Sequence, residues 1–214
     1  MSIRVAVVDD QALFRAGIAL IIGTQPDLEL VGECESGEDA VRLVREGAGI
    51  DVILMDVLMP GLGGIDATAA ITALPDAPRV LMLTTFEDDA TVSQAIAAGA
   101  SGFVLKDARA ELLLSAVRSV ADGTAVLARS APLARLARGT GGRHSVPREY
   151  ETLTSSEQTV FRLVAAGLSN REIGDVASLS EATVKSYVSR ILAKIGVRDR
   201  VQLVLFAVRN GLTD

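Results

Sequence analysis

The chain has 214 residues, long for one compact domain and comfortable for two, and its 49% apolar but only 3% aromatic composition favours α/β or all-α cores of Val, Leu, Ile and Ala over all-β ones. One cysteine, Cys34, and one histidine, His144, exclude an internal disulfide and a credible zinc set, leaving strand packing for the first and linker for the second. The net charge of −6 is uneven: residues 1–124 hold 8 basic and 19 acidic side chains, 125–146 hold 4 and 0, and 147–214 hold 9 and 8, so an acidic module precedes a more basic one.

Strand and helix patterns alternate through the first 124 residues. Ile3 to Val8 is a β-branched run, followed by an amphipathic stretch from Leu13 to Ile22; Leu28 to Cys34 precedes Ala40 to Val44. Val52 to Met55 precedes a helix from Ile65, Val80 to Leu83 one from Asp88, and Gly102 to Leu105 one ending near Asp122. Near-continuous apolar strands between helices predict a doubly wound, five-stranded parallel (βα)5 sheet covered on both faces. Asp9 and Asp10 interrupt the one candidate secretion signal and no run approaches a membrane span, so a soluble, cytoplasmic protein without membrane contact is expected.

Ligands of such sheets sit beyond the carboxyl ends of the strands. The first strand is followed by Asp9 and Asp10, the third by Asp56, the fourth by Thr84 and the fifth by Lys106. Crowded carboxylates repel one another, and an oxygen-liganded divalent cation such as Mg2+ relieves that repulsion. Solvated loop acids are the alternative, though the coincidence with strand ends favours a site.

These residues, in Val7-Val8-Asp9-Asp10, Met55-Asp56-Val57-Leu58-Met59-Pro60-Gly61, Leu83-Thr84-Thr85 and Gly102-Phe103-Val104-Leu105-Lys106-Asp107, resemble the flavodoxin-like receiver domain of response regulators across residues 3–122. The resemblance implies that Asp56 is the phosphoacceptor and that Asp9, Asp10 and Asp56, with the backbone carbonyl of Leu58, hold Mg2+. It further implies that Lys106 pairs with the phosphoryl group, Thr84 donates to it, and Phe103 is the switching ring. Leu58 and Phe86, two residues after Asp56 and Thr84, lie near the expected water path and lead us to expect slow hydrolysis. A small α/β hydrolase or phosphatase is the enzyme alternative. Such sites commonly carry a second acid two residues after the nucleophile, where this chain has Leu58, and a turnover enzyme is not expected.

Residues 125–150 read as a linker with a short helix, Arg129 to Arg138, and a tether through Gly139-Thr140-Gly141-Gly142 to Pro147. From residue 151 the spacing is helical only. Thr154-Ser155-Ser156-Glu157 and Ser169-Asn170-Arg171-Glu172 are capping boxes, Ser180 caps a third helix that Gly196 stops, and Asp199 opens a fourth. A short helix and tight turn leading into a longer helix is a helix-turn-helix layout in a small four-helix domain. The third helix has an apolar stripe of Val184, Val188, Ile191, Leu192 and Ile195, leaving small and basic residues opposite, although an ordinary solvated face would look similar.

Leu153-Thr154, Gly167 to Ile173, Leu179 to Lys185, Val188 to Leu192 and Gly196 to Arg200 resemble the LuxR-type helix-turn-helix, and with the receiver the chain is similar to the NarL/FixJ subfamily. The resemblance implies base contacts from Lys185, Ser186 and Ser189 and phosphate contacts from Thr183 and Arg190, with Lys194 flanking them. Gly174 stands where Ala is usual and Tyr187 where His is common; Gly174 is expected to loosen its helix by up to about 1 kcal/mol. Val201, Val204, Leu205 and Val208 of the last helix serve either burial in their own domain or a homodimer contact, which the resemblance favours. The expected partners are a sensor histidine kinase, double-stranded DNA and a second copy of the chain. The alternative is a phosphorylation-independent DNA-binding regulator that uses the receiver to dimerise.

Overall fold

The computed structural model describes residues 2–85, 89–123, 126–127 and 147–212. The chain divides into two compact units, Met1–Ser130 and Ala131–Asp214. The expected linker helix from Arg129 to Arg138, His144 and Phe86 lie outside the described residues.

The first unit alternates β1 (Ile3–Val8), α1 (Ala12–Gly23), β2 (Leu28–Cys34), α2 (Gly37–Arg45), β3 (Val52–Asp56), α3 (Gly64–Thr72), β4 (Arg79–Thr84), α4 (Asp89–Ala97), β5 (Gly102–Leu105) and α5 (Ala110–Ala121). All strands pair in parallel in the order β2-β1-β3-β4-β5, and β6 (Val126–Leu127) adds to the far edge beside β5. The sixth strand falls in the stretch read from sequence as linker, because two residues are too few to carry an alternating pattern.

Val5–Val8 of β1, Val52–Met55 of β3 and Val80–Leu83 of β4 are buried, which is why these runs are apolar, whereas the edge strand β2 carries exposed Glu29 and Glu33. Val5, Val7, Leu54 and Leu81 pack with Ile18 and Ile22 of α1 and Leu113 and Val117 of α5. Met82 meets the Thr68 hydroxyl of α3 at 3.3 Å, and α2, α3 and α4 lie side by side. Cys34 is buried at the end of β2, and burial pushes its thiol up to about 11, consistent with strand packing.

The second unit has a short lead-in, α6 (Arg148–Glu151), then α7 (Ser155–Ala165), α8 (Asn170–Ala177), α9 (Glu181–Ile195) and α10 (Arg200–Arg209). Both capping boxes form: Thr154 and Glu157 satisfy each other's backbone donors at the start of α7, and Ser169 and Glu172 do so at α8. Ser180 caps α9, Gly196 ends it and Asp199 caps α10. The core gathers Phe161, Ile173, Val184, Ile191 and Leu203, with Tyr150 and Phe206 meeting Phe161 edge to face.

Candidate functional site

In this sheet the crossovers from β1 run to opposite sides, so a crevice opens at the carboxyl ends of β1 and β3. Asp9 directly follows β1 and Asp56 ends β3, both almost wholly buried, while Asp10 is exposed. One carboxylate oxygen from each of the three can be chosen so that all lie within 4.8 Å of one another. The chain must fold back immediately after Asp56. The Gly64 N–H reaches the Val57 carbonyl at 3.1 Å, and a methyl group at Gly64 would stand 1.8 Å from the Asp56 carbonyl oxygen. From α2, Glu38 accepts from the Leu62 N–H at 2.9 Å and so anchors the loop that carries Leu58.

Lys106 follows β5 and points its ammonium into the crevice, 2.7 Å from Asp9 Oδ2 and 2.9 Å from Asp56 Oδ2. Its own N–H is tied to the Thr84 carbonyl at 2.8 Å, which fixes the start of the side chain relative to β4. Thr84 is buried at the end of β4, one residue beyond Leu83, the register partner of Asp56; Phe103 is buried on β5 opposite Met82. The five residues singled out at strand ends in the sequence are therefore brought to one edge, with Phe103 on the adjoining strand.

Burial pushes the Asp56 carboxyl above its usual range, and the pull of Lys106 only partly opposes this. Burial alone would lower the Lys106 ammonium, but the adjacent carboxylates of Asp9 and Asp56 outweigh it and hold the group above its ordinary value. One cation thus faces the two buried acids, with Asp10 beside them. Asp9 Oδ1 accepts from the Gln11 N–H at 2.9 Å, whereas buried Oδ2 has the ammonium beside it as an ion pair but no well-directed hydrogen bond. An all-oxygen donor set, an under-satisfied buried carboxylate oxygen and an exposed third acid fit a divalent cation completed by water. The residues present form an acidic pocket able to hold one.

In the second unit α8, a tight turn and α9 make the expected helix-turn-helix. Ser178 takes a left-handed conformation at φ 53°, and the Leu179 N–H donates to the Gly174 carbonyl at 2.9 Å. A methyl group at Gly174 would stand 2.7 Å from the Leu179 carbonyl oxygen. The residue expected only to loosen α8 therefore also admits the close approach of the turn.

Lys185, Ser186, Ser189 and Arg190 are exposed on α9; the Arg190 guanidinium lies 4.6 Å from the centre of the Tyr187 ring, and the Ser189 hydroxyl donates to the Lys185 carbonyl. Thr183 is half-buried, its hydroxyl 2.7 Å from that of the capping Ser180. Lys194 differs from the sequence reading: its ammonium contacts Glu157 Oε2 at 2.7 Å and the Thr152 carbonyl at 3.4 Å, interactions that compete with a phosphate contact. The four dimer candidates of the last helix, α10, are buried. Val201, Val204, Leu205 and Val208 are 0%, 7%, 5% and 6% exposed, and Val204 and Val208 belong to the core with Phe161 and Ile191. Packing in this core accounts for the apolarity of Val204 and Val208.

Three long-range contacts escape a reading by motif. Phe14 of α1 lies beneath the Lys106 ammonium, 4.7 Å from ring centre to nitrogen. Arg200, nearly buried, donates to Asn170 Oδ1 at 3.1 Å and to the Leu168 carbonyl, clasping the segment before α8 to the start of α10; burial lowers it to about 10. Glu157 is legible as a cap but not as the partner of a lysine 37 positions away. Only an aromatic at an otherwise aliphatic helix position signals the first, and only a basic residue beside the capping Asp199 signals the second.

Residues 5–118 match the family model described as the response regulator receiver domain, and residues 151–207 match that of the bacterial regulatory proteins of the luxR family. The chain is 37% identical over 215 residues to the transcriptional regulatory protein LiaR of Bacillus subtilis (strain 168), covering 99% of this chain and 100% of that protein. It is 37% identical over 212 residues to the response regulator protein VraR of Staphylococcus aureus (strain NCTC 8325 / PS 47), covering 99% of each. Among solved structures it is similar to the response regulator ChrA of a heme-sensing two-component system, with TM-score 0.52 and 32% identity over 99% of this chain and 98% of that one.

Proposed function

Because the chain belongs to the two-component response regulators that join a receiver to a LuxR-type DNA-binding domain, we propose that a sensor histidine kinase phosphorylates Asp56 and that this modification controls dimerisation and sequence-specific DNA binding. The observation that carries the reading is the meeting of Asp56 with Lys106 at 2.9 Å beside Asp9 and Asp10. Residues 1–124 act as the receiver, 125–150 as the linker and 151–214 as the DNA-binding domain. No helix among the described residues is long and apolar enough to cross a membrane, and the protein works in the cytoplasm where its DNA lies.

An Asp56 carboxylate oxygen attacks phosphorus, a P–O bond to carbon-bound carboxylate forms, and the bond to the donor breaks, its electron pair leaving with the donor. The product is an acyl phosphate, formed once per chain rather than turned over. Asp9, Asp10, Asp56 and the Leu58 carbonyl would hold Mg2+, which when bound neutralises charge on the phosphoryl oxygens. Lys106 donates to one of those oxygens from a site already dry enough to make its charge effective. The Thr84 hydroxyl donates to another, and its inward movement opens space for Phe103, altering the surface around β4 and β5.

On α9, Lys185, Ser186 and Ser189 read base edges in the major groove while Thr183 and Arg190 contact phosphates. Pairing two chains sets two recognition helices on neighbouring half-sites, which is how a shift in the dimer equilibrium becomes a shift in DNA affinity. The test is binding to duplexes selected by the protein from a random-sequence library, with and without acetyl phosphate. Wild type tightens with donor and Asp56→Asn stays weak; undiminished cooperative binding by Asp56→Asn would favour the phosphorylation-independent regulator.

A further inference from the structure

The Lys106 ammonium has two competing carboxylates, Asp9 Oδ2 at 2.7 Å and Asp56 Oδ2 at 2.9 Å, and the nearer one belongs to the residue that does not receive the phosphoryl group. A lysine stem is flexible, so two acids do not by themselves keep the cation over Asp56. The third neighbour is the ring of Phe14, half-buried against the core from α1, with its centre 4.7 Å from the nitrogen. An aromatic face carries negative potential and attracts a cation within about 6 Å, more strongly where water is excluded. Water is largely excluded here: the Lys106 side chain is 8% exposed.

We propose that Phe14 is a positioning residue for phosphoryl transfer, its ring face seating the Lys106 ammonium beside Asp56. The inference rests on Asp56 being the phosphoacceptor. A ring face imposes no single bond direction, so the ammonium turns from the carboxylate to a phosphoryl oxygen without leaving its seat. An aliphatic side chain of similar size fills the same space but exerts no such attraction, and the ammonium is then free to settle on Asp9.

The full-length protein with Phe14→Leu and Phe14→Trp tests this by two readouts. Lysine-selective carbon labelling gives three side-chain signals, Lys106, Lys185 and Lys194. The methylene next to the Lys106 nitrogen is expected upfield in wild type and Phe14→Trp, and at an ordinary position in Phe14→Leu. The second readout is the limiting rate of phosphorylation by acetyl phosphate with Mg2+. Phe14→Leu is expected to lower it about 3- to 30-fold while the half-saturating donor concentration holds, and Phe14→Trp to restore it. A Lys106 signal indifferent to Phe14→Leu, or equal slowing by both substitutions, overturns the proposal. Failure of wild type to accept a phosphoryl group overturns the phosphoacceptor reading instead, and the lysine signal still decides whether the ring seats the ammonium.

Discussion

Glu157 and Lys194 meet at 2.7 Å, joining the cap of α7 to the last turn of the recognition helix. The same Glu157 carboxylate accepts from the Thr154 N–H at 2.8 Å, so one side chain ends a helix's orphan donors and fixes where the recognition helix lies against it. Lys194 and, after it, the Thr154 N–H hold the carboxyl down at about 2 rather than its ordinary 4.5.

A depressed carboxylate contributes stability above its unfolded value and loses it as pH falls through the folded one. Wild type is therefore expected to unfold at a higher temperature than Glu157→Gln at neutral pH, with the difference shrinking between about 4.5 and about 2. Thermal unfolding of both chains across that range checks it; a difference independent of pH would show that the ion pair is not its source.

The DNA face divides by role. Lys185→Ala is expected to cost about 1–3 kcal/mol and to relax sequence preference, while Arg190→Met weakens all duplexes alike and lowers the salt slope by about 1. Lys194→Met, its ammonium already engaged by Glu157, leaves the salt slope unchanged. Titrations of a selected and a scrambled duplex at several salt concentrations separate the three.

Gly174→Ala sets helix propensity against space. Alanine favours an isolated helix by about 1 kcal/mol, yet its methyl would press on the Leu179 carbonyl oxygen, and backbone must move to relieve it. A lower urea midpoint with unchanged slope is the expected outcome; a raised midpoint would mean that the turn yields freely.

Leu58 is 66% exposed beside Asp56 and leaves the approach to the phosphoryl group apolar. Leu58→Asn with Phe86→Glu supplies groups that orient water, so the phosphoryl half-life is expected to shorten. An unchanged half-life would mean that these side chains do not govern hydrolysis.

Much of this was legible in the sequence, for a physical reason. Parallel strands buried on both faces betray themselves as apolar runs, so the five strands and the residues that follow them, Asp9, Asp56, Thr84 and Lys106, could be placed before any coordinates. Capping chemistry is equally local, and Thr154, Ser169, Ser180 and Asp199 each open the helix expected of them. What stayed hidden were relationships between distant residues. Spacing assigns Lys194 to a helix face but cannot supply Glu157, and it marks α10 as apolar all round without saying that Val204 and Val208 turn inward. The two-residue β6 borrows its conformation from β5 and has no pattern of its own.

The central claim is that Asp56 receives the phosphoryl group. Intact mass of the protein and of Asp56→Ala after incubation with acetyl phosphate and Mg2+ tests it most directly. The account predicts one added phosphoryl group on the wild type and none on the variant; equal incorporation into both, or none into either with divalent-cation binding confirmed, would contradict it.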